Sequence, residues 1–472
     1  MTTQHLTTAP HGSTVSQPKP ASLPALRLIT CGSVDDGKST LIGRLLLDSK
    51  AVLQDQLSSV QRHGSTDLAL LTDGLVAERE QGITIDVAYR YFSTPARKFI
   101  LGDSPGHEQY TRNMVTAASS ADAAVVLVDA TKLDWRPPTG DDTAPVALLP
   151  QTRRHTLLLQ LLRVPSVVFA VNKLDAVGTP QDSAMAFARI AAALQLFAQQ
   201  AGLQVAATLP VSALHGWNVV ASAEEPGWCG YHGPTLLSLL EQLPNLPSEA
   251  SLPAAFPVQW VEKPSAQNGG RRVLWGRVAT GSLQPGQWLQ LQGTQSTGAG
   301  PTAAVQVVEL LDAVRQPVGR TGAAPGAAAV PAGQSAGVVL DREVDVSRGD
   351  WLLDAQHPPT SKRTSLCTLT ATLAWLDDEA LVPGRTYWVL HGHRCVKAKV
   401  QRVLHRIHIQ TLAQEAAQAL EANHIGLVEL VLQEALPVLP YAQSRSRGAL
   451  VLVDAASHRT AGAAWVQDGG QA

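Results

Sequence analysis

Near the start of the chain, Gly32-Ser33-Val34-Asp35-Asp36-Gly37-Lys38-Ser39 matches G-x-x-x-x-G-K-[ST] at every fixed position. The run follows an apolar stretch and opens a segment of helical periodicity, the context in which this pattern holds phosphates. Glycines let the backbone wrap so that its N–H groups point inward at phosphate oxygens. The helix N-terminus adds a partial positive charge. Lys38 is placed to reach β- and γ-phosphates, and the Ser39 hydroxyl to ligate Mg²⁺. Gly32, Ser33, Val34, Asp35, Asp36, Gly37, Lys38, Ser39 and Thr40 are therefore the expected phosphate-binding run.

A phosphate loop does not choose its base. Asn172-Lys173-Leu174-Asp175 does, because it follows the apolar run PSVVFAV and so sits at a strand's carboxyl end. The Asp175 carboxylate can accept two hydrogen bonds, from guanine N1–H and N2–H₂, and adenine offers neither donor there. A second base contact is expected from the backbone of Ser212-Ala213-Leu214, again just after a strand. The expected guanine-binding residues are Asn172, Lys173, Asp175, Ser212, Ala213 and Leu214.

Two further segments have the chemistry of a γ-phosphate sensor. Asp103-Ser104-Pro105-Gly106-His107 ends another apolar run in the form D-x-x-G. Asp103 would hold Mg²⁺ through a water, and the Gly106 N–H would bond the γ-phosphate. Glycine suits a backbone that must approach closely and swing on hydrolysis. His107 stands where a side chain could orient the attacking water. Upstream, Thr84 in Gly82-Ile83-Thr84-Ile85 would supply a second hydroxyl to Mg²⁺. The expected catalytic residues are His107, Lys38 and Thr84, and the expected Mg²⁺ ligands are Ser39, Thr84 and, through water, Asp103.

The elements that must position these groups are visible in the patterning. From residue 24 to 247, short apolar runs (LRLITCG, RKFILGD, DAAVVLVDA, PSVVFAVNK, VAATLPVSA) alternate with helical segments. That alternation predicts a mostly parallel sheet covered on both faces. After a Pro-rich joint the runs shorten and Gly and Pro recur, as in small β-barrels. The expected domains are an α/β phosphate-loop domain over 24–247, one barrel over 254–356 and a second over 361–460. Residues 1–23 are expected to be a disordered tail and 461–472 a second tail. Residues 131–149, 293–304 and 316–333 read as surface loops.

Composition narrows the class further. The chain has 472 residues, which suggests about three domains. Lys+Arg total 37 against 39 Asp+Glu, a net charge of −2, which argues against a wide nucleic-acid surface. The N-terminus lacks a signal-peptide core, and no uncharged apolar run approaches a membrane span. Cys31, Cys229, Cys367 and Cys395 show no metal or disulfide spacing. A cytoplasmic protein with no nucleic-acid and no membrane partner is expected. Asp377-Asp378-Glu379 reads as a solvated turn. His391, His393 and Cys395 would share one face of a strand, but no fourth ligand is near, and they read as structural.

Five motifs in this order, GSVDDGKS, GITI, DSPGH, NKLD and SAL, resemble those of translation-factor-type GTPases from residue 25 onward. The match narrows with residues 26–50, 73–94 and 103–130, with QTRRH (151–155), GPTLLSLLE (233–241), FPVQWV (256–261) and VDVSRGD (344–350). These resemble the large, GTPase subunit of bacterial sulfate adenylyltransferase. Elongation factors typically carry His where Asp36 stands and Thr where Ser39 stands. Family members usually have Thr at the position of Ser104. The resemblance implies an α/β GTPase domain followed by two barrels, with GTP and Mg²⁺ as ligands. It also implies a small partner subunit, in a heterodimer or higher assembly, that makes adenosine 5′-phosphosulfate and pyrophosphate from ATP and sulfate. This chain would couple GTP hydrolysis to that reaction. There is no second phosphate loop for a fused kinase. A translation GTPase that carries aminoacyl-tRNA is the competing reading, and a non-hydrolysing regulatory subunit is a third.

Overall fold

The computed structural model describes residues 23–50, 61–62, 65–66, 86–107, 110–137, 144–223, 227–265, 270–293, 304–318, 329–356 and 368–467. Thr84, Cys367 and residues 1–22 of the expected tail 1–23 lie outside them.

The first domain is built on a six-stranded sheet. Its strands are β1 (Leu26–Cys31), β4 (Ala88–Ser93), β5 (Lys98–Asp103), β6 (Ala123–Asp129), β7 (Ser166–Asn172) and β8 (Val205–Pro210). A two-residue hairpin, β2 (Gln61–Arg62) with β3 (Ser65–Thr66), lies between the first two. The order across the sheet is β4-β5-β1-β6-β7-β8, parallel except for the β4–β5 pair. β6 and β7 are buried along their whole length, as a sheet covered on both faces requires.

Helices α1 (Lys38–Asp48) and α5 (Leu236–Gln242) cover one face through Leu41, Ile42, Leu45, Leu236 and Leu240. Helices α2 (Thr111–Ala118), α3 (Pro150–Leu161) and α4 (Pro180–Ala201) cover the other. α4 starts at a capping box: Thr179 accepts from the Asp182 N–H, and Asp182 accepts from the Thr179 N–H. It ends at Gly202 in the left-handed region (φ 70°). The four described motif-bearing loops all leave the same, carboxyl edge of this sheet, where open α/β sheets bind ligands; GITI (82–85) lies outside the described residues.

The first barrel is closed in the order β10-β15-β13-β12-β16-β9. Its strands are β9 (Ala255–Glu262), β10 (Val273–Arg277), β12 (Trp288–Gln292), β13 (Ala304–Leu311), β15 (Ser335–Leu340) and β16 (Trp351–Asp354); β11 (Ser282–Leu283) and β14 (Val330–Pro331) pair beside it. The second barrel comprises β17 (Thr368–Trp375), β18 (Thr386–His391), β19 (Arg394–Ile407), β21 (Ile425–Leu432), β22 (Ala449–Asp454) and β23 (Thr460–Val466), with β20 (Gln414–Glu415) beside β19. The β18–β19 pairing closes it. Closure leaves the described barrel strands no long free edge.

Several expectations change here. Residues 461–466 are not tail: β23 lies between β17 and β22, and Ala461, Ala464, Trp465 and Val466 are buried. Its small, Ala- and Gly-rich sequence hid the strand. The segment 131–149 is not simply a surface loop, because Leu133, Trp135, Val146 and Leu148 are buried against the face that α4 covers. Finally, His391, His393 and Cys395 do not share a strand face. A tight turn at Gly392 (φ 59°) separates β18 from β19, so that His391 pairs with Arg394. His391 is buried, stacks on Trp351 and bonds the Arg447 carbonyl at 3.0 Å. Among the described residues no His, Cys, Asp and Glu group could hold a metal by itself. Asp377 departs partly from a solvated turn: it is buried and paired with Arg459 at 2.9 Å, while Asp378 is exposed.

Candidate functional site

The phosphate loop runs from the end of β1 to the first turn of α1. Gly32 (φ 147°), Asp35 (φ 60°) and Gly37 (φ 94°) have the positive dihedrals that wrap the chain. A side chain at Gly32 would strike the Leu127 carbonyl at 2.8 Å, and one at Gly37 would strike Asn172 at 2.5 Å. Both positions therefore demand glycine on space as well as conformation.

Lys38 is 7% exposed, and its ammonium donates to the carbonyls of Gly32 (3.2 Å) and Ser33 (2.8 Å). Burial lowers its pKa, and the neighbouring Asp103 and Asp36 work against that shift. Asp103 is buried at the end of β5 and accepts from the Thr30 hydroxyl at 3.1 Å. Ser104 is fully buried, and its hydroxyl donates to the Thr30 carbonyl. Gly106 lies directly against the loop: a Cβ there would be 2.6 Å from the Lys38 ammonium and 2.9 Å from the Gly32 carbonyl. His107 follows at the edge of the site, its ring edge-on to Tyr110. Ser39 and Thr40, in the first turn of α1, are half-buried.

At the end of β7, Asn172 ties three segments together. Its Nδ2 donates to the Asp36 carbonyl (2.9 Å) and its Oδ1 accepts from the Ala213 N–H (3.0 Å). Its described bonds go to the protein, so Asn172 aligns the phosphate loop with the Ser212-Ala213-Leu214 loop. Lys173, in the left-handed region (φ 63°), donates to the Asp35 carbonyl at 2.6 Å and pairs with Asp129 at 2.7 Å. The Asp175 Oδ1 is buried and has no hydrogen-bond partner among the described residues, while its Oδ2 is 3.7 Å from His215 Nε2. Ser212 accepts from the His215 N–H, and Leu214 is 64% exposed. All described motif residues therefore converge on one edge of the sheet.

Two residues at this edge escaped the motif reading. His155 Nδ1 accepts the Gly32 N–H at 3.2 Å, and its Nε2 meets the Gln151 amide at 2.8 Å. Burial, with Lys38 and Arg154 nearby, pushes this imidazole down to about 3, so it stays neutral. Lys132 reaches Asp36 at 3.0 Å and the Val34 carbonyl. QTRRH and the Thr131-Lys132-Leu133-Asp134 echo of Asn172-Lys173-Leu174-Asp175 carried the signals.

An α/β sheet with these loops on its carboxyl edge, followed by two closed antiparallel barrels, defines the translation-factor class of GTPases. The chain matches the family model of the elongation factor Tu GTP binding domain over residues 24–315. It matches that of the GTP-eEF1A C-terminal domain-like family over residues 368–467.

The chain belongs to the sulfate adenylyltransferase subunit 1 family. It is 41% identical to sulfate adenylyltransferase subunit 1 of Aeromonas hydrophila, over 94% of this chain and 86% of that protein. It is 43% identical to that of Rhizobium rhizogenes, over 92% and 81%. The bifunctional enzyme CysN/CysC of Xylella fastidiosa is 43% identical over 94% of this chain, which spans 66% of that longer protein. A solved structure of sup35 complexed with GDP aligns over 97% of both chains at 17% identity, with a TM-score of 0.40.

Proposed function

We propose that the chain binds GTP with Mg²⁺ and hydrolyses it. It couples that hydrolysis to formation of adenosine 5′-phosphosulfate and pyrophosphate from ATP and sulfate on a small catalytic partner subunit, in the cytoplasm. The observation that carries the nucleotide assignment is the buried, unpartnered Oδ1 of Asp175 at the end of the guanine-reading motif. An unpaired buried acceptor costs about 1–3 kcal/mol, and guanine's N1–H and N2–H₂ are donors that relieve it. The kinship to sulfate adenylyltransferase subunit 1 proteins supports the coupled reaction.

The residues divide the work. The loop N–H groups and Lys38 hold the β- and γ-phosphates, and Asn172 holds the loop to the base side. Ser39 and buried Asp103 are hard oxygen donors beside Lys38 that would hold Mg²⁺, Asp103 through a water and Thr84 from outside the described residues. When bound, Mg²⁺ neutralises charge on the β- and γ-oxygens. His107 orients the water that attacks the γ-phosphorus. The bond to the β–γ bridging oxygen breaks, and GDP and phosphate leave. Gly106 abuts Lys38, so a γ-phosphate seated there displaces the D-S-P-G segment, and hydrolysis lets it return. A phosphosulfate anhydride is a high-energy product. A switch whose two states differ in affinity for the partner's reaction states can drive its formation.

The test is GTP turnover by the purified chain with and without the partner subunit, ATP and sulfate. Turnover that rises with the partner, and adenosine 5′-phosphosulfate formation that requires GTP, are expected. His107→Ala should keep GTP binding and lose turnover by about 10²-fold or more. Turnover indifferent to the partner and stimulated by ribosomes would replace this reading with that of a translation GTPase.

A further inference from the structure

An acidic residue inside a phosphate loop needs an explanation. Asp36 has no solvent exposure, and its Oδ2 accepts the Ser33 N–H at 2.6 Å from within the loop. Its charge stands where the loop must receive a polyanion, and it is opposed from outside. Lys132 Nζ lies 3.0 Å from Asp36 Oδ1, also donates to the Val34 carbonyl, and is 3.9 Å from Asp129. On the neighbouring strand end, Lys173 donates to the next carbonyl, that of Asp35, and pairs with the same Asp129. β6 and β7 run in register, with Asp129 opposite Asn172, so the two lysines approach the loop side by side.

The geometry has a consequence for the loop's donors. In a trans peptide the C=O and the following N–H point opposite ways. Drawing the Val34 carbonyl outward therefore turns the Asp35 N–H into the loop, and drawing the Asp35 carbonyl outward turns the Asp36 N–H inward, where it meets the Ser33 carbonyl at 3.4 Å. Lys132 is itself held firmly. Asp129 accepts from Thr131 N–H (2.9 Å) and hydroxyl (2.6 Å), and Leu133 and Trp135 are buried immediately after it. The start of the 131–149 segment is thus anchored so as to present one ammonium to the phosphate loop.

We propose that Lys132 is a positioning residue for nucleotide binding: it neutralises Asp36 and holds the Val34 carbonyl outward. The proposal rests on the reading of this site as a GTP site.

The test is titration of the full-length chain with fluorescently labelled GDP and GTP. Lys132→Met should weaken both by about tenfold or more. Adding Asp36→Asn to that variant should recover most of the loss, because the uncompensated charge is gone, and Lys132→Arg should bind within about threefold of wild type. Lys132→Gln, which keeps a donor for the Val34 carbonyl but not the charge, should also weaken both nucleotides by about tenfold, which keeps the idea testable if Lys132→Met does not fold. Unchanged affinity in Lys132→Met, or a loss that Asp36→Asn does not rescue, overturns the proposal. So does wild-type affinity in Lys132→Gln. A wild-type chain that binds neither nucleotide overturns the GTP reading, and this proposal with it.

Discussion

The first N–H of the phosphate loop is held by an imidazole that carries no proton on the accepting nitrogen. His155 can accept from Gly32 only while neutral, and burial keeps it so. Its folded pKa is about 3, below the ordinary value of about 6.5. The unfolded chain therefore binds more protons between those values, and stability is complete above about pH 6.5 and falls as the pH drops toward 3. His391, pushed down to about 4 by burial, acts in the same direction. The unfolding midpoint should decline as the pH falls from about 6.5 to 4.5, and His155→Gln should flatten part of that slope. At neutral pH, His155→Ala should cost about 1–3 kcal/mol in chemical denaturation, because it leaves a buried N–H unpaired. A flat profile in wild type would contradict this account of both histidines.

Helices and strands place the switch. α1 begins at Lys38 and β5 ends at Asp103, so adjacent strands β1 and β5 deliver the loop and the D-S-P-G segment to one point. The segment then enters α2, whose Arg112 donates to the Leu376 carbonyl in the second barrel at 3.1 Å. The helix that follows Gly106 is thus tied to the second barrel. Gly106→Ala places a methyl against the Gly32 carbonyl and Lys38, and backbone cannot yield as a side-chain tip can. It should leave GDP affinity within a few-fold of wild type and lower single-turnover GTP hydrolysis by about tenfold or more. Equal losses of both would place Gly106 in loop folding rather than in the switch.

Across the whole molecule, the joint between the first domain and the barrels is polar and specific. Glu249, in the turn leaving the first domain, accepts from the Ser444 hydroxyl (2.6 Å), the Arg445 N–H (2.7 Å) and the Ser446 hydroxyl (2.6 Å). Tyr441 donates to the Leu162 carbonyl at 2.9 Å, and Arg445 to that of Ser119 at 2.8 Å. Between the barrels, Arg394 meets Asp350 at 3.3 Å beside the stacked Trp351 and His391. Glu249→Ala removes the acceptor of these donors and of the Ser446 N–H (3.4 Å), and should speed proteolysis in the 243–257 joint several-fold, with about 1–3 kcal/mol lost in unfolding. Unchanged digestion would show that the apolar contacts of Tyr441 and Trp465 hold the joint without it.

The amino-acid sequence by itself determined the motif chemistry and the architecture of this protein. Phosphate wrapping, γ-phosphate sensing and base reading each need a few residue types at short, contiguous spacing. The parallel sheet and barrels follow from the lengths and spacing of apolar runs. Strand β23 stayed hidden because Thr460–Val466 is mostly small residues, and its burial depends on β17 and β22 on either side. Tertiary structure alone decided how the loops are braced. Asn172 clamps Asp36 and Ala213, His155 holds Gly32, and Lys132 meets Asp36 across 136, 123 and 96 residues of sequence respectively. No local pattern encodes such contacts: they exist only because the parallel sheet brings the ends of β1, β6, β7 and β8 to one edge.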